Sequence, residues 1–177
     1  MKENKIAIKN KEPKEIIGSK KIKDNREKPK ESNEQKKPTW YEVYEQTGEG
    51  YLPLVDYESW RVAVLSYSDE LLADEIRTMQ RHDETDEVFV LLRGRCLLFL
   101  GGNSDRVEEI IPLEMKPFKI YNIKKSVWHN HTVSKDALVL IVENRDTTSA
   151  NSPVYSLDQN QHQFLIDTVR ELWPDVR

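Results

Sequence analysis

The stretch HDETDEVFVLLRG, His82 to Gly94, places five ionisable side chains within six residues and then turns apolar. At the two-residue period of a strand, Glu87, Phe89 and Leu91 share one face and Val88 and Val90 take the other. Glu87 therefore heads an inward-facing apolar row. An ionised carboxylate in that position is costly to bury unless something pairs with it, and a divalent cation would do so. The acids before it, Asp83, Glu84 and Asp86, read as a solvated loop entering the strand, with Glu84 or Asp86 also able to orient a liganding histidine.

Outward from this stretch the chain repeats short β-like runs. WRVAVLSY (Trp60–Tyr67), IRTMQRH (Ile76–His82), EVFVLL (Glu87–Leu92), CLLFL (Cys96–Leu100), VEEIIPL (Val107–Leu113), FKIYNI (Phe118–Ile123), HNHTV (His129–Val133) and ALVLIVEN (Ala137–Asn144) recur at the spacing of an all-β sandwich or barrel. The intervening RGR, LGGNSD and VSKD supply the Gly, Asn, Asp and Ser that reversals need. After Leu157, apolar residues Phe164, Leu165, Val169, Leu172 and Trp173 fall with Thr168 on one helical stripe, with Asp158 as N-cap and Pro174 as terminator. That stripe is expected to pack on the outside of the barrel or against a second subunit.

Charge is unevenly distributed. Residues 1–38 carry 13 Lys+Arg against 7 Asp+Glu and the remainder 14 against 24, so the formal charge of −4 divides into +6 and −10. The first segment has no aromatic residue and little apolar surface, and reads as a disordered, lysine-rich tail. Residues 39–58 are expected to lead in, 59–146 to form the barrel, and 147–177 to form an extension carrying the amphipathic helix. Nucleic-acid binding is not expected of a folded part this acidic. The longest purely apolar run, Ala137 to Val142, is six residues, far short of a membrane span. With a single cysteine, Cys96, and no secretory signal pattern, the expected compartment is the cytoplasm. Cys96 itself reads as a small buried hydrophobe.

Three of the four histidines fall on β segments. His129 and His131 share a strand face, and Gln80 and His82 share another if their strand continues that far. Imidazole plus carboxylate with open positions is a ligand set used by Zn, Mn, Fe and Ni.

These residues also carry a resemblance. His82, four residues, Glu87, six residues and Gly94 are similar to the first motif of the cupin superfamily, whose pattern is His-x-His, three or four residues, Glu, six residues, Gly. NIKKSVWHNH resembles the second motif at His129. The resemblance covers about Trp60 to Asn144 and implies a small single-domain cupin, a double-stranded β-helix or jelly-roll barrel, here with a C-terminal helix and the N-terminal tail. It implies His82, Glu87 and His129 as metal ligands. The family's first His falls at Gln80, whose carbonyl oxygen is a weaker ligand, and His131 is the alternative donor. Tyr121 is the expected pocket residue by parity with Ile123, beside Trp128, Arg93 and Lys125 as rim candidates.

The favoured reading is a metal-dependent isomerase or lyase acting on a small polar substrate, a sugar, hydroxy acid or keto acid, with Glu87, His131 and Tyr121 as catalytic candidates. The alternatives are a non-catalytic small-molecule or metal-binding module and an iron-dependent dioxygenase. A homodimer is expected in each case, because a small jelly roll leaves sheet edges to cover.

Overall fold

The computed structural model describes residues 40–175. The segment 1–38, expected as a tail, lies outside the described residues. Among the described residues ten strands, a short 3-10 turn at Asp69–Leu71 and one helix follow each other. They are β1 (Tyr51–Tyr57), β2 (Trp60–Ser66), β3 (Thr78–Gln80), β4 (Glu87–Arg93), β5 (Cys96–Leu100), β6 (Ile111–Glu114), β7 (Ile120–Ile123), β8 (His129–Val133), β9 (Leu138–Asn144), β10 (Val154–Ser156) and α1 (Gln159–Leu172). Two five-stranded antiparallel sheets form, ordered β1-β2-β9-β4-β7 and β10-β3-β8-β5-β6. This is the cupin-type jelly roll that the resemblance implies.

All eight expected strands are present, several of them shorter than their sequence runs. Val107 and Ile110 leave the ladder and are buried beneath the helix. Phe118 takes φ 62°, a turn conformation that delays the start of β7. Two strands lie outside the expected set. The segment 39–58 contributes β1, an edge strand carrying Pro53, and the extension after residue 146 contributes β10, three residues long.

Between the sheets lies one apolar cluster that includes Phe89, Leu91, Leu98, Val139 and Ile141. Cys96 and Leu98 point into it, while Leu97 and Phe99 point the other way into a second cluster with Met79, Leu165 and Trp173. Burial on both faces is why CLLFL is continuously apolar instead of alternating. The helix therefore covers the outer face of the second sheet, and burying a side chain such as Leu165 contributes about 1.5–3 kcal/mol.

Both ends of α1 are fixed. Asp158 Oδ1 accepts from Gln161 N–H at 2.8 Å, Gln161 Oε1 accepts from Asp158 N–H at 3.0 Å, and Gln161 Nε2 donates to the Val107 carbonyl at 2.7 Å. At the other end Trp173 Nε1 donates to Glu114 Oε1 at 3.0 Å, and the Arg95 guanidinium covers the Trp173 ring. No helix among the described residues is long and apolar enough to cross a membrane.

Candidate metal centre

Three elements deliver the cluster. Glu87 opens β4 and His129 opens β8, at one end of the space between the sheets, and His82 comes from the connection between β3 and β4. All three are buried. His82 Nε2 stands 3.1 Å and His129 Nε2 2.9 Å from the same oxygen, Glu87 Oε2. One ligating atom from each of the three lies within 4.8 Å of the others.

The outer nitrogen of each ring is occupied. His129 Nδ1 donates to the Val127 carbonyl at 2.8 Å, and His82 Nδ1 is 2.8 Å from Ser152 Oγ. Such contacts fix the orientation of a metal-binding imidazole. Because His129 Nδ1 carries a proton, the neutral ring presents a lone pair at Nε2. A carboxylate oxygen 2.9 Å from that lone pair requires either a second proton on the ring or a cation between the two atoms. Ligand atoms held at 2.0–2.2 Å from one ion stand about 3.0–3.4 Å apart. The two His–Glu separations match this to within a few tenths of an ångström, so the donor set fits a divalent cation.

The acids of the opening stretch hold this end of the barrel in shape. Asp86 accepts from Lys124 Nζ at 2.6 Å, the Lys125 backbone N–H at 2.9 Å and Asn122 Nδ2 at 3.0 Å. These bonds bring its carboxyl down to about 2. Asp83 accepts from Ser126 Oγ at 3.0 Å, and the Ser126 N–H donates to the His82 carbonyl at 2.8 Å. The loop carrying His82 is thus tied to the turn that leads into His129.

Burial pushes the Glu87 carboxyl up, but the hydrogen bonds from His129 and His82 prevail and hold it at about 2. For His82, burial opposes the charged form and the Glu87 carboxylate overrides it, so its value is raised. Burial lowers His131 to about 4, keeping its ring neutral. Cys96 is pushed up to about 12 by burial alone, in keeping with an inert thiol.

A cavity of about 450 Å³ opens beside the cluster. Gln80, His82, Glu87 and His131 all line it. Gln80 is paired with His129 across β3 and β8, so it borders the cluster from the neighbouring strand. His131 lies outside the three-residue group and packs its ring against Phe89, 5.8 Å between centroids. Tyr121 is not brought to the cavity: its hydroxyl accepts from the Lys116 backbone N–H at 2.8 Å and its ring packs on the interior cluster. The rim candidates Arg93, Lys125 and Trp128 also lie elsewhere, Arg93 on the Asp136 carbonyl and Trp128 beneath the Arg81 guanidinium.

Several cavity residues were not expected, among them three that form a group. Glu143, on β9, lines the cavity with Tyr51 and Arg61. The Tyr51 hydroxyl donates to Glu143 Oε1, and Arg61 Nη1 is 3.8 Å from the same oxygen. Burial and the nearby Glu87 charge raise the Glu143 carboxyl. Parity was the available signal, since Glu143 follows inward-facing Val139 and Ile141 just as Glu87 precedes Phe89 and Leu91. A larger groove of about 720 Å³ runs between α1 and the loop after β2, but among the described residues it contains no such ligating group.

No family model matches the sequence, and no curated protein does. Solved structures do resemble it in fold. A cupin-2 domain containing protein from Shewanella frigidimarina superposes with a TM-score of 0.41 and 16% identity, covering 56% of this chain and 85% of that one. The QdtA 3,4-ketoisomerase from Thermoanaerobacterium thermosaccharolyticum, a double mutant in complex with TDP, gives 0.43 and 17%, covering 67% and 78%. Streptomyces PAC13 with uridine gives 0.43 and 9%, covering 66% and 93%.

Proposed function

We propose that this chain binds a divalent cation through His82, Glu87 and His129 and acts on a small polar substrate in the adjoining cavity, by isomerase or lyase chemistry. The observation that carries the proposal is the convergence of two imidazole Nε2 atoms on one buried carboxylate oxygen while each Nδ1 is engaged elsewhere. When bound, the cation supplies Lewis-acid polarisation of a substrate carbonyl or hydroxyl. The chain's own groups do the rest. Gln80 offers its amide to orient the substrate, and the interior apolar cluster closes the far side against water. Glu143 is the second cavity carboxyl, and burial together with the nearby Glu87 charge raises its value.

A second reading is a binding module that uses the same cation without turnover. Gln80 favours it, standing where the resemblance places a further histidine. An oxygen-activating iron site is the third reading, and metal identity separates it from the first.

Elemental analysis of the purified protein, with Glu87→Gln and His129→Ala alongside, tests the proposal. Near-stoichiometric metal in the wild type that is lost in both variants is the expected result. Absence of metal from the wild type after reconstitution with Mn, Fe, Ni and Zn would overturn it.

A further inference from the structure

The cavity beside the metal cluster has two buried polar atoms that the protein leaves without a partner, and a carboxylate oxygen with no donor beside them. Thr147 Oγ1 and His131 Nδ1 are withdrawn from solvent and make no hydrogen bond. Glu143 is buried, and while its Oε1 receives the Tyr51 hydroxyl, its Oε2 accepts no hydrogen bond among the described residues. Buried polar groups are nearly always paired, so two unpaired ones beside an open carboxylate oxygen, lining a single cavity, mark a place where a ligand supplies the partners. Glu143 Oε2 requires a donor, Thr147 Oγ1 can give or take, and a neutral imidazole nitrogen can do either according to tautomer. Hydroxyl groups match all three, because each is donor and acceptor at once.

Charge narrows the ligand further. Glu70, Glu87 and Glu143 line the cavity, against Arg61 as its one Lys or Arg. Arg61 is already committed, with Nε 2.8 Å and Nη2 3.3 Å from the Asp56 carboxylate and Nη1 turned toward Glu143. Among the described residues no free cationic side chain lines the cavity to receive a carboxylate or a phosphate. A divalent ion on the cluster would bring the lining from −2 to neutral and leave no excess positive charge for an anion.

We infer that Glu143, Thr147 and His131 form a subsite for an uncharged polyhydroxylated ligand of the sugar class, and that it discriminates against acidic analogues. The inference rests on the proposed function for the location of the reacting end and decides among the substrate classes that reading leaves open. Glu143 sits beside Glu87 in the β4–β9 register, one step past the Val88–Val142 pair, so a ligand hydroxyl on Glu143 is adjacent to the metal cluster.

The test is binding to the full-length, metal-loaded protein, read by saturation-transfer NMR and calorimetry. The probes are neutral five- and six-carbon aldoses and ketoses, set against D-glucuronate and D-glucose 6-phosphate. At least one neutral sugar should bind, with the charged probes at least about tenfold weaker. Glu143→Gln and, independently, Thr147→Val should each weaken the neutral sugar about tenfold, the size expected for losing a hydrogen bond to a buried polar group. Two variants are used so that misfolding of one, seen by circular dichroism, leaves the other decisive. Preference for a charged probe, no binding across the neutral panel, or unchanged affinity in a folded variant would each overturn the subsite. Repeating the titration after chelation separates the two proposals. Sugar binding that persists without metal and is lost in Glu143→Gln supports the subsite whatever the fate of the metal reading, and full metal content with no effect of either variant refutes the subsite alone.

Discussion

Glu87→Gln is the substitution with the most to say about the centre, because its effect on the metal-free protein follows from linkage. A carboxyl held at about 2 in the fold, against its ordinary 4.5, prefers to be ionised there by about 3 kcal/mol. The amide mimics the protonated acid, so that amount is the expected loss of stability. The sign is that of a depressed acid: the stabilisation is complete above pH 4.5 and disappears as pH falls toward 2. His82, whose value is raised, contributes the same interaction from the other side, present below pH 6.5 and lost as pH rises through its own elevated value. The two are one interaction and are counted once. Near pH 6 both partners are charged, so urea denaturation of chelated protein at pH 6 should show the variant less stable by up to about 3 kcal/mol. The gap should narrow at pH 4.5 and shrink further at pH 3. Added metal then separates the proteins again, since ligand at a hundred times its Kd stabilises the wild type by about 2.7 kcal/mol and the variant by nothing. A gap under about 0.5 kcal/mol at pH 6, or one that persists undiminished at pH 3, would refute the reasoning.

Ser152→Ala removes the partner of His82 Nδ1, and metal affinity should fall about 10- to 100-fold by competition against a chromophoric chelator, whereas His131→Ala should leave metal stoichiometry unchanged because His131 lies outside the ligating group. Gly94 has φ +72°, and a Cβ there would meet the Ala137 backbone at 2.6 Å. Gly94→Ala should therefore cost about 2–5 kcal/mol, the left-handed conformation and the backbone clash together, read as a lowered urea midpoint. Cys96, fully buried with its thiol pushed up to about 12, should react with a disulfide reagent at pH 8 at least about a hundredfold more slowly in the native protein than in urea.

Legibility of this chain tracks how many faces of an element are constrained. β4 and β9 could be read because alternation survives in them, and β5 because both its faces are buried. β1 was hidden by its position at a sheet edge, where Pro53 and Asp56 are tolerated because a single neighbour demands hydrogen bonds. β10, at three residues, is too short for any period to show. The histidines and Glu87 were legible by spacing, and their convergence needed no contact that the sequence could not suggest. Ser152 was not, because nothing local distinguishes a serine that caps a histidine 70 residues away.

Glu143 lies between these cases, and it shows what strand parity can and cannot settle. Its place after Val139 and Ile141 predicts an inward direction with the same logic that selected Glu87, so direction was available from the sequence. Which strand it would face was not. Only the antiparallel register of β9 with β4 on one side and β2 on the other brings Glu143 beside Glu87 and opposite Arg61. Two acids at the ends of two adjacent inward rows would repel each other across the ladder if each were left bare. In this fold each has its own compensation, two imidazoles for Glu87 and the Tyr51 hydroxyl with the Arg61 guanidinium for Glu143. The imidazole hydrogen bonds bring Glu87 down, whereas burial and the Glu87 charge outweigh Tyr51 and Arg61 and raise Glu143. A pair separated in this way places two carboxyls of different proton affinity within a single cavity.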